Sequence, residues 1–251
     1  MTDRVIEKLI QRQINQWNRW DEVLSASSDP AALRPRPTIT VSRQLGSGGR
    51  DLAEALAERL DLQVHGYEIV EHIARDQHLE EEVVAGLDEQ VVSQIRLWIT
   101  GVLNRRIFLK DEYHVALVRV VRTLAARGGV VILGRGGNFI LAERADLRLR
   151  LVAGEDYRVE RLARRDQLSE AEARAHIRES DSSRRQFVEK LLHADVDDPR
   201  HYDIVLNAER IRADRLTDLA LEALATREAL AAGSAAAEAG ADAPEAEAAQ
   251  A

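Results

Sequence analysis

Gly46, Gly48 and Gly49 stand between a strand-like run at 38–42 and a helix-like run after Gly49, with Arg43 ahead of them and Arg50 and Asp51 behind. A turn that opens a helix leaves successive backbone N–H groups without intrahelical partners, and those donors and the helix dipole favour negative charge. Glycines at 46, 48 and 49 give the turn the backbone freedom this needs. Two phosphate-binding patterns can be laid over the segment, and neither fits. G-x-G-x-x-G requires glycine where Asp51 stands. G-x-x-x-x-G-K-[ST], with Gly48 as its last glycine, meets Arg43 at its first glycine, Gly49 at its lysine and Arg50 at its hydroxyl residue. From the glycines alone, a phosphate site and a purely structural turn both stay open.

A second cluster, GRGG at 134–137, follows the apolar run VVIL directly. Such a run reads as a buried parallel strand, and open α/β sheets bind ligands at the carboxyl ends of their strands. Arg135 at that position can hold phosphate oxygens in pairs, or pair with a nearby carboxylate. Arg158, Arg161 and Arg165 share one helical face, as do Arg178, Asp181 and Arg185. All but Lys8, Lys110 and Lys190 of the 35 basic residues are arginine, so any one arginine reads first as solvated or ion-paired. As a set they suit phosphoryl transfer, which depends on positioning and on positive charge around the transferring oxygens.

The elements that must hold these residues alternate. Strands are expected at 38–42, just before Gly66, at 130–133, at 147–152 and at 203–206, with helices between them, which implies a parallel sheet covered on both faces. Residues 79–127 read as mostly helical, ending at the Gly128 and Gly129 pair. Ser169 and Glu172 have capping-box spacing, so a helix starts there. Ahead of the sheet, Ile6, Leu9, Ile10, Ile14, Trp17, Trp20 and Leu24 form an amphipathic stripe, followed by a proline-containing linker at 25–37. The stripe is expected to pack on the main domain or on a second copy, giving a homodimer. A closing helix is expected over 213–230, and the Ala- and Glu-rich residues 231–251 are expected to be a disordered tail.

Composition narrows the function classes. The 251 residues carry a net charge of -8 and no cysteine, which removes disulfides and thiolate metal sites. An acidic chain is a poor general binder of nucleic acid, and no apolar run reaches the roughly 20 residues a bilayer span needs. The expected setting is the cytoplasm, with no nucleic-acid or membrane partner.

Five segments, in order, carry a resemblance: SRQLGSGGRDLAEALAERL, GYEIVEHIA, VVILGRGGNFIL, YRVERLARRDQLSEAEARAHIRESDSSRR and HYDIVLNAERI. Together they resemble the cytidylate kinase-like family of P-loop proteins, over residues 37–226. The resemblance implies a three-layer α/β P-loop kinase fold with a five-stranded parallel sheet. It also implies a helical insertion for the nucleoside monophosphate (NMP) at 65–127 and a lid at 166–200, inside a domain spanning 37–230. ATP and Mg2+ are the implied cofactors, and a CMP- or dCMP-like phosphate is the implied acceptor. The loop residues Arg43, Gly46, Ser47, Gly48, Gly49, Arg50 and Asp51 would hold the donor phosphates, with Ser47 and Asp51 available to the metal. Gly134 and Arg135 would hold the acceptor phosphate, and Glu68 would make a polar contact. Arg178, Asp181, Arg184 and Arg185 would close over the transferring group.

The chain departs from lysine-containing kinases at the loop. Losing one preorganised charge of that kind costs about 3 to 4 kcal/mol, and Arg50 is the expected substitute. Many relatives have an aspartate where this chain has His65 and Gly66, and His65 reads as a turn histidine before it reads as a base. Asp88 and Glu68 suit either polar contacts or helix capping. Three functions follow: a kinase of a nucleoside monophosphate or similar small phosphate ester, a nucleotide-binding regulator without turnover, and an interaction module that binds no nucleotide.

Overall fold

The computed structural model describes residues 36–66, single positions at 68, 70, 73, 74, 93 and 97, and residues 112–241. The expected N-terminal helix, Asp88 and the last ten residues lie outside the described residues, as does most of the expected NMP insertion.

Five strands form one parallel sheet: β1 (Thr38–Arg43), β2 (Gln63–Gly66), β3 (Val130–Leu133), β4 (Leu147–Val152) and β5 (Ile204–Asn207), in the order β2-β3-β1-β4-β5. The expected strands therefore form, with β1 one residue longer and β5 shifted by one. β1 is central, with Val41 opposite Leu133 of β3 and Arg43 opposite Leu151 of β4. The glycine turn thus leaves the sheet at its middle.

The alternation in TITVSR decides which layer each side chain meets. Ile39 and Val41 join Leu147, Leu149 and Leu151 in one buried cluster. Helix α1 (Gly49–Leu60) adds Leu52 and Leu56 to it, and α6 (Ala213–Ala241) adds Leu216 and Leu224. On the opposite face Val130 and Ile132 pack with α2 (Glu112–Arg127) through Leu117, Val121 and Leu124, and with Ile140 and Leu141 of the short α3 (Gly137–Leu141). Thr38, Thr40 and Ser42 of β1 are buried as well. Two helical layers around a sheet are what runs such as VVIL require, since both faces of the strand must be covered.

Helices α4 (Glu155–Asp166) and α5 (Glu170–Leu192) form a hairpin with a small core of its own: Val159, Leu162, Ala173 and Ile177. The Ser169–Glu172 capping box is present, with Ser169 Oγ accepting from the Glu172 N–H and the Glu172 carboxylate accepting from the Ser169 N–H. Closing helix α6 continues to Ala241, past the expected end at Leu230. Its added residues are mostly alanine, the strongest helix former, so propensity carries the helix beyond the last core contacts.

Candidate functional site

The turn after β1 begins with Gln44 and Leu45, passes Gly46 and Gly48 at φ of 83° and 88°, and starts α1 at Gly49. Gln44 braces it from outside: its N–H donates to the Leu151 carbonyl at 3.1 Å, and its side-chain Oε1 accepts from the Ala153 N–H at 3.0 Å. Ser47 braces it from inside. Its hydroxyl lies 2.8 Å from the Gln44 carbonyl and 3.3 Å from that of Leu151, and the residue is 1% exposed. Ser47, expected as a metal ligand, is therefore buried beneath the turn with its proton directed to carbonyls, and it does not line the cavity on which the other loop residues open.

Two adjoining cavities open on this turn. The first, about 390 Å³, is lined by Gly46, Gly48 and Gly49, by Arg50 and Asp51, and by Glu68 and Arg161. The second, about 450 Å³, is lined by Gly134 and Arg135, by Asp181 and Arg185, and by Arg150 and Asp197. Arg43, Gln44, Leu45 and Arg184 line both. The structure therefore brings the expected donor residues other than Ser47 to one cavity and Gly134 and Arg135 to its neighbour, while Glu68, expected on the acceptor side, lines the first.

Within the first cavity the side chains are not placed as the sequence suggests. Arg50 donates through Nε to Glu54 at 3.1 Å, one helical turn on, and is more than half exposed. Asp51 pairs instead with Arg161 of α4, which reaches across from the hairpin. The Arg161 guanidinium lies over the loop, its Nη2 being 3.3 Å from where a side chain on Gly48 would begin. Arg165, on the same face, lines the cavity while pairing with Asp166 at 2.7 Å.

The hairpin grips the turn at Leu45. Asp181 Oδ1 accepts from the Leu45 N–H at 3.0 Å and from Arg184 Nη1 at 3.2 Å, and its Oδ2 pairs with Arg158. Arg158 Nη1 also donates to the Leu45 carbonyl at 3.2 Å, so both polar groups of that residue's backbone are held by the hairpin. Burial pulls the Arg184 guanidinium below its ordinary pKa, with the charge of Asp181 and its hydrogen bond opposing. Arg178, one turn before Asp181, lines neither cavity. It is 70% exposed and lies 3.4 Å from Glu155 at the start of α4, so the structure does not bring it together with Arg184 and Arg185.

In the second cavity the turn Gly134–Arg135–Gly136 has three successive positive φ values, 85°, 50° and 66°. Arg135 is a non-glycine residue in the left-handed region, a conformation that costs about 1–3 kcal/mol and clusters at ligand sites. Its guanidinium sits 5.3 Å from the centre of the Phe187 ring. Below it, Arg150 donates to Ser42 Oγ at 2.9 Å and pairs with Asp197, whose other oxygen lies 3.3 Å from Arg185. Arg150 and Asp197 were not singled out from the sequence. The signal for Arg150 was present: in LRLRLV it is a charge in a strand that must be covered on both faces. His65 lies in β2 opposite Ile132, is buried, and has its pKa lowered to about 4 by burial, which makes it a neutral structural side chain.

A parallel sheet of order β2-β3-β1-β4-β5, helices on both faces and a glycine turn between the central strand and its helix define a three-layer α/β P-loop kinase fold. The chain belongs to the cytidylate kinase-like family, whose model matches residues 38–210. Among relatives, the cytidylate kinase of Halobacterium salinarum is 28% identical over 190 residues, covering 74% of this chain and 88% of that protein. The cytidylate kinase of Haloarcula marismortui is 30% identical over 174 residues, 68% of this chain and 81% of that one. A crystal structure of an uncharacterized protein from Eubacterium ventriosum shares the fold, with a TM-score of 0.53 and 20% identity across 75% of this chain and 98% of that one. No helix among the described residues is long and apolar enough to cross a membrane.

Proposed function

We propose that the protein is a nucleotide kinase that transfers the γ-phosphoryl group of ATP to the phosphate of a nucleoside monophosphate of the CMP or dCMP kind. One observation carries this reading: two cavities meet at the carboxyl end of the central strand, one floored by the main chain of a glycine turn and the other lined by guanidinium groups. Family membership supports it, since the relatives above are cytidylate kinases.

The donor phosphates lie in the first cavity against the N–H groups at the mouth of α1, with Arg161 above them. The acceptor phosphate lies in the second, held by Arg135, with Arg184 and Arg185 closing from α5. An acceptor oxygen attacks the γ-phosphorus; the new P–O bond forms as the bond to the β-phosphate breaks, and ADP leaves with the electron pair. Catalysis is then positioning and charge compensation, with no covalent enzyme intermediate.

Magnesium fits the first cavity in a limited way. Asp51 and Glu68 both line it, and Mg2+ needs only one or two carboxylates beside water and phosphate oxygens. No cluster of three carboxylate, imidazole or thiol side chains among the described residues would hold a metal without a ligand. Asp51 would have to exchange Arg161 for the ion. Bound there, magnesium would neutralise phosphate charge.

A second reading, a nucleotide-binding regulator without turnover, is favoured by the engagement of Arg50 with Glu54 and by the Asp181 carboxylate seated on the Leu45 amide. A coupled ADP-release assay separates the two, run across CMP, dCMP, the other monophosphates and small phosphate esters, beside Arg135→Ala. The kinase reading expects magnesium-dependent turnover that prefers CMP or dCMP and is lost in the variant. ADP release at background with every acceptor, from a protein that still binds ATP, would establish the regulator instead.

A further inference from the structure

The missing lysine leaves a specific question: which cation stands at the transferring group. Arg50 is the neighbour in sequence, but it turns along α1 to Glu54. Arg161 is held by Asp51 and Arg184 by Asp181. Those three come from helices, and Arg43 comes to the cavities from the sheet. It ends the central strand, and its side chain runs in a slot between the two glycine turns. A Cβ on Gly49 would fall 2.5 Å from Arg43 Cβ and 2.7 Å from its Cγ, and a Cβ on Gly134 would fall 2.3 Å from its Nη1. Two glycines 85 residues apart thus lie along one arginine: a side chain at Gly49 would collide with its fixed root, and one at Gly134 would push its mobile head out of the slot. Gly134 is also at φ +85, which disfavours any replacement. The slot delivers Arg43 to the junction, where it lines both cavities.

We propose that Arg43 is the catalytic cation of this site, contacting the transferring phosphoryl group between donor and acceptor and supplying the charge that a loop lysine supplies in the G-x-x-x-x-G-K pattern. This rests on the phosphotransfer reading above. A guanidinium presents its N–H groups in a planar fork and can meet oxygens of two phosphates at once, which an ammonium does less well. Arg43 exchanges no proton and forms no bond to phosphorus. It stabilises oxygens whose charge shifts as one P–O bond forms and the other breaks.

The test is steady-state kinetics of the full-length protein with ATP and its best acceptor, alongside ATP binding by calorimetry, for Arg43→Met, Arg43→Lys, Arg43→Ala and Arg50→Met. The expected result is a fall in kcat of roughly 10² to 10³ in Arg43→Met, as for loss of a preorganised transition-state donor, with ATP affinity changed far less. Arg50→Met should lose less than Arg43→Met. Guanidinium ion in the assay should restore part of the rate of Arg43→Ala and none of the rate of Arg50→Met, an effect that a merely structural role would not give. An Arg43→Met enzyme with unchanged kcat, a defect confined to KM, or a larger loss in Arg50→Met would overturn the assignment. These outcomes require a wild-type protein that turns over; a wild type silent with every acceptor contradicts the phosphotransfer reading itself.

Discussion

The turns that follow β1 and β3 are built alike and used differently. Both leave a parallel strand at its carboxyl end, both pass through left-handed glycines, and both enter a helix. The first leads into the twelve-residue α1 and turns its one hydroxyl, Ser47, inward onto the Gln44 and Leu151 carbonyls, so that its glycines offer the cleft main chain. The second leads into the five-residue α3 and holds a charged side chain, Arg135, in a strained conformation at its apex. One turn is an amide cradle and the other a mount for a guanidinium. The pairing of β1 with β3 sets the two turns side by side, and Arg43 lies between them.

The largest effect should come from the clamp on the first turn. Asp181→Ala removes the acceptor for the Leu45 N–H and leaves the nearly buried Arg158 without its carboxylate. Breaking such a pair on one side costs about 3–5 kcal/mol, measurable by urea unfolding, with faster amide exchange at Leu45. An unfolding free energy within error of wild type would mean the hairpin is not fastened there.

Next comes Gly134→Ala in the second turn. The left-handed backbone costs about 1–3 kcal/mol with a side chain present, and the new methyl must displace the Arg43 head. Turnover should therefore fall by more than the stability loss explains at temperatures where the variant is folded. Full activity in a folded Gly134→Ala protein would show that Arg43 does not need the slot.

A smaller effect concerns β2, the strand beside β3. His65 is neutral in the fold, with a pKa near 4, and regains an ordinary value near 6.5 on unfolding. Between those values the unfolded chain binds more protons, so stability falls as pH drops below about 6.5. From pH 7 to 5.5 this contributes about 1 kcal/mol of lost stability, and His65→Gln should remove that part of the slope. An identical pH dependence in the variant would place the titration elsewhere.

The smallest effect separates the two sides of α5. Arg178→Ala removes an exposed pair of little weight for stability, and its cost in kcat should be well below that of Arg184→Ala, whose side chain lines both cavities. Equal losses would bring Arg178 back to the reacting groups.

The sheet was legible in the sequence because its determinants are local. VVIL and LRLRLV must be strands covered on two faces, Ser169 with Glu172 must start a helix, and the Gly128 and Gly129 pair does end α2 at Arg127. The glycine turn was legible for the same reason. Side-chain direction was not. Ser47 has the right chemistry for a metal, but only the strand register shows that the Leu151 carbonyl lies beneath it. Arg178 and Arg184 look equivalent in HIRESDSSRR, and the packing of α5 on α4 decides that one meets Glu155 and the other lines the cavities. Arg43 against Gly134 joins residues far apart in the chain, and no spacing rule connects them.

The central claim, that the amides at the mouth of α1 hold the donor phosphates, is tested most directly by titrating the 15N-labelled protein with magnesium and ATP. The largest shifts among backbone amides should fall on Gly46 to Arg50, and the Arg43 side-chain N–H resonances should respond at the same ATP concentrations. Saturable ATP binding that leaves those five amides unmoved would place the nucleotide elsewhere and contradict the account.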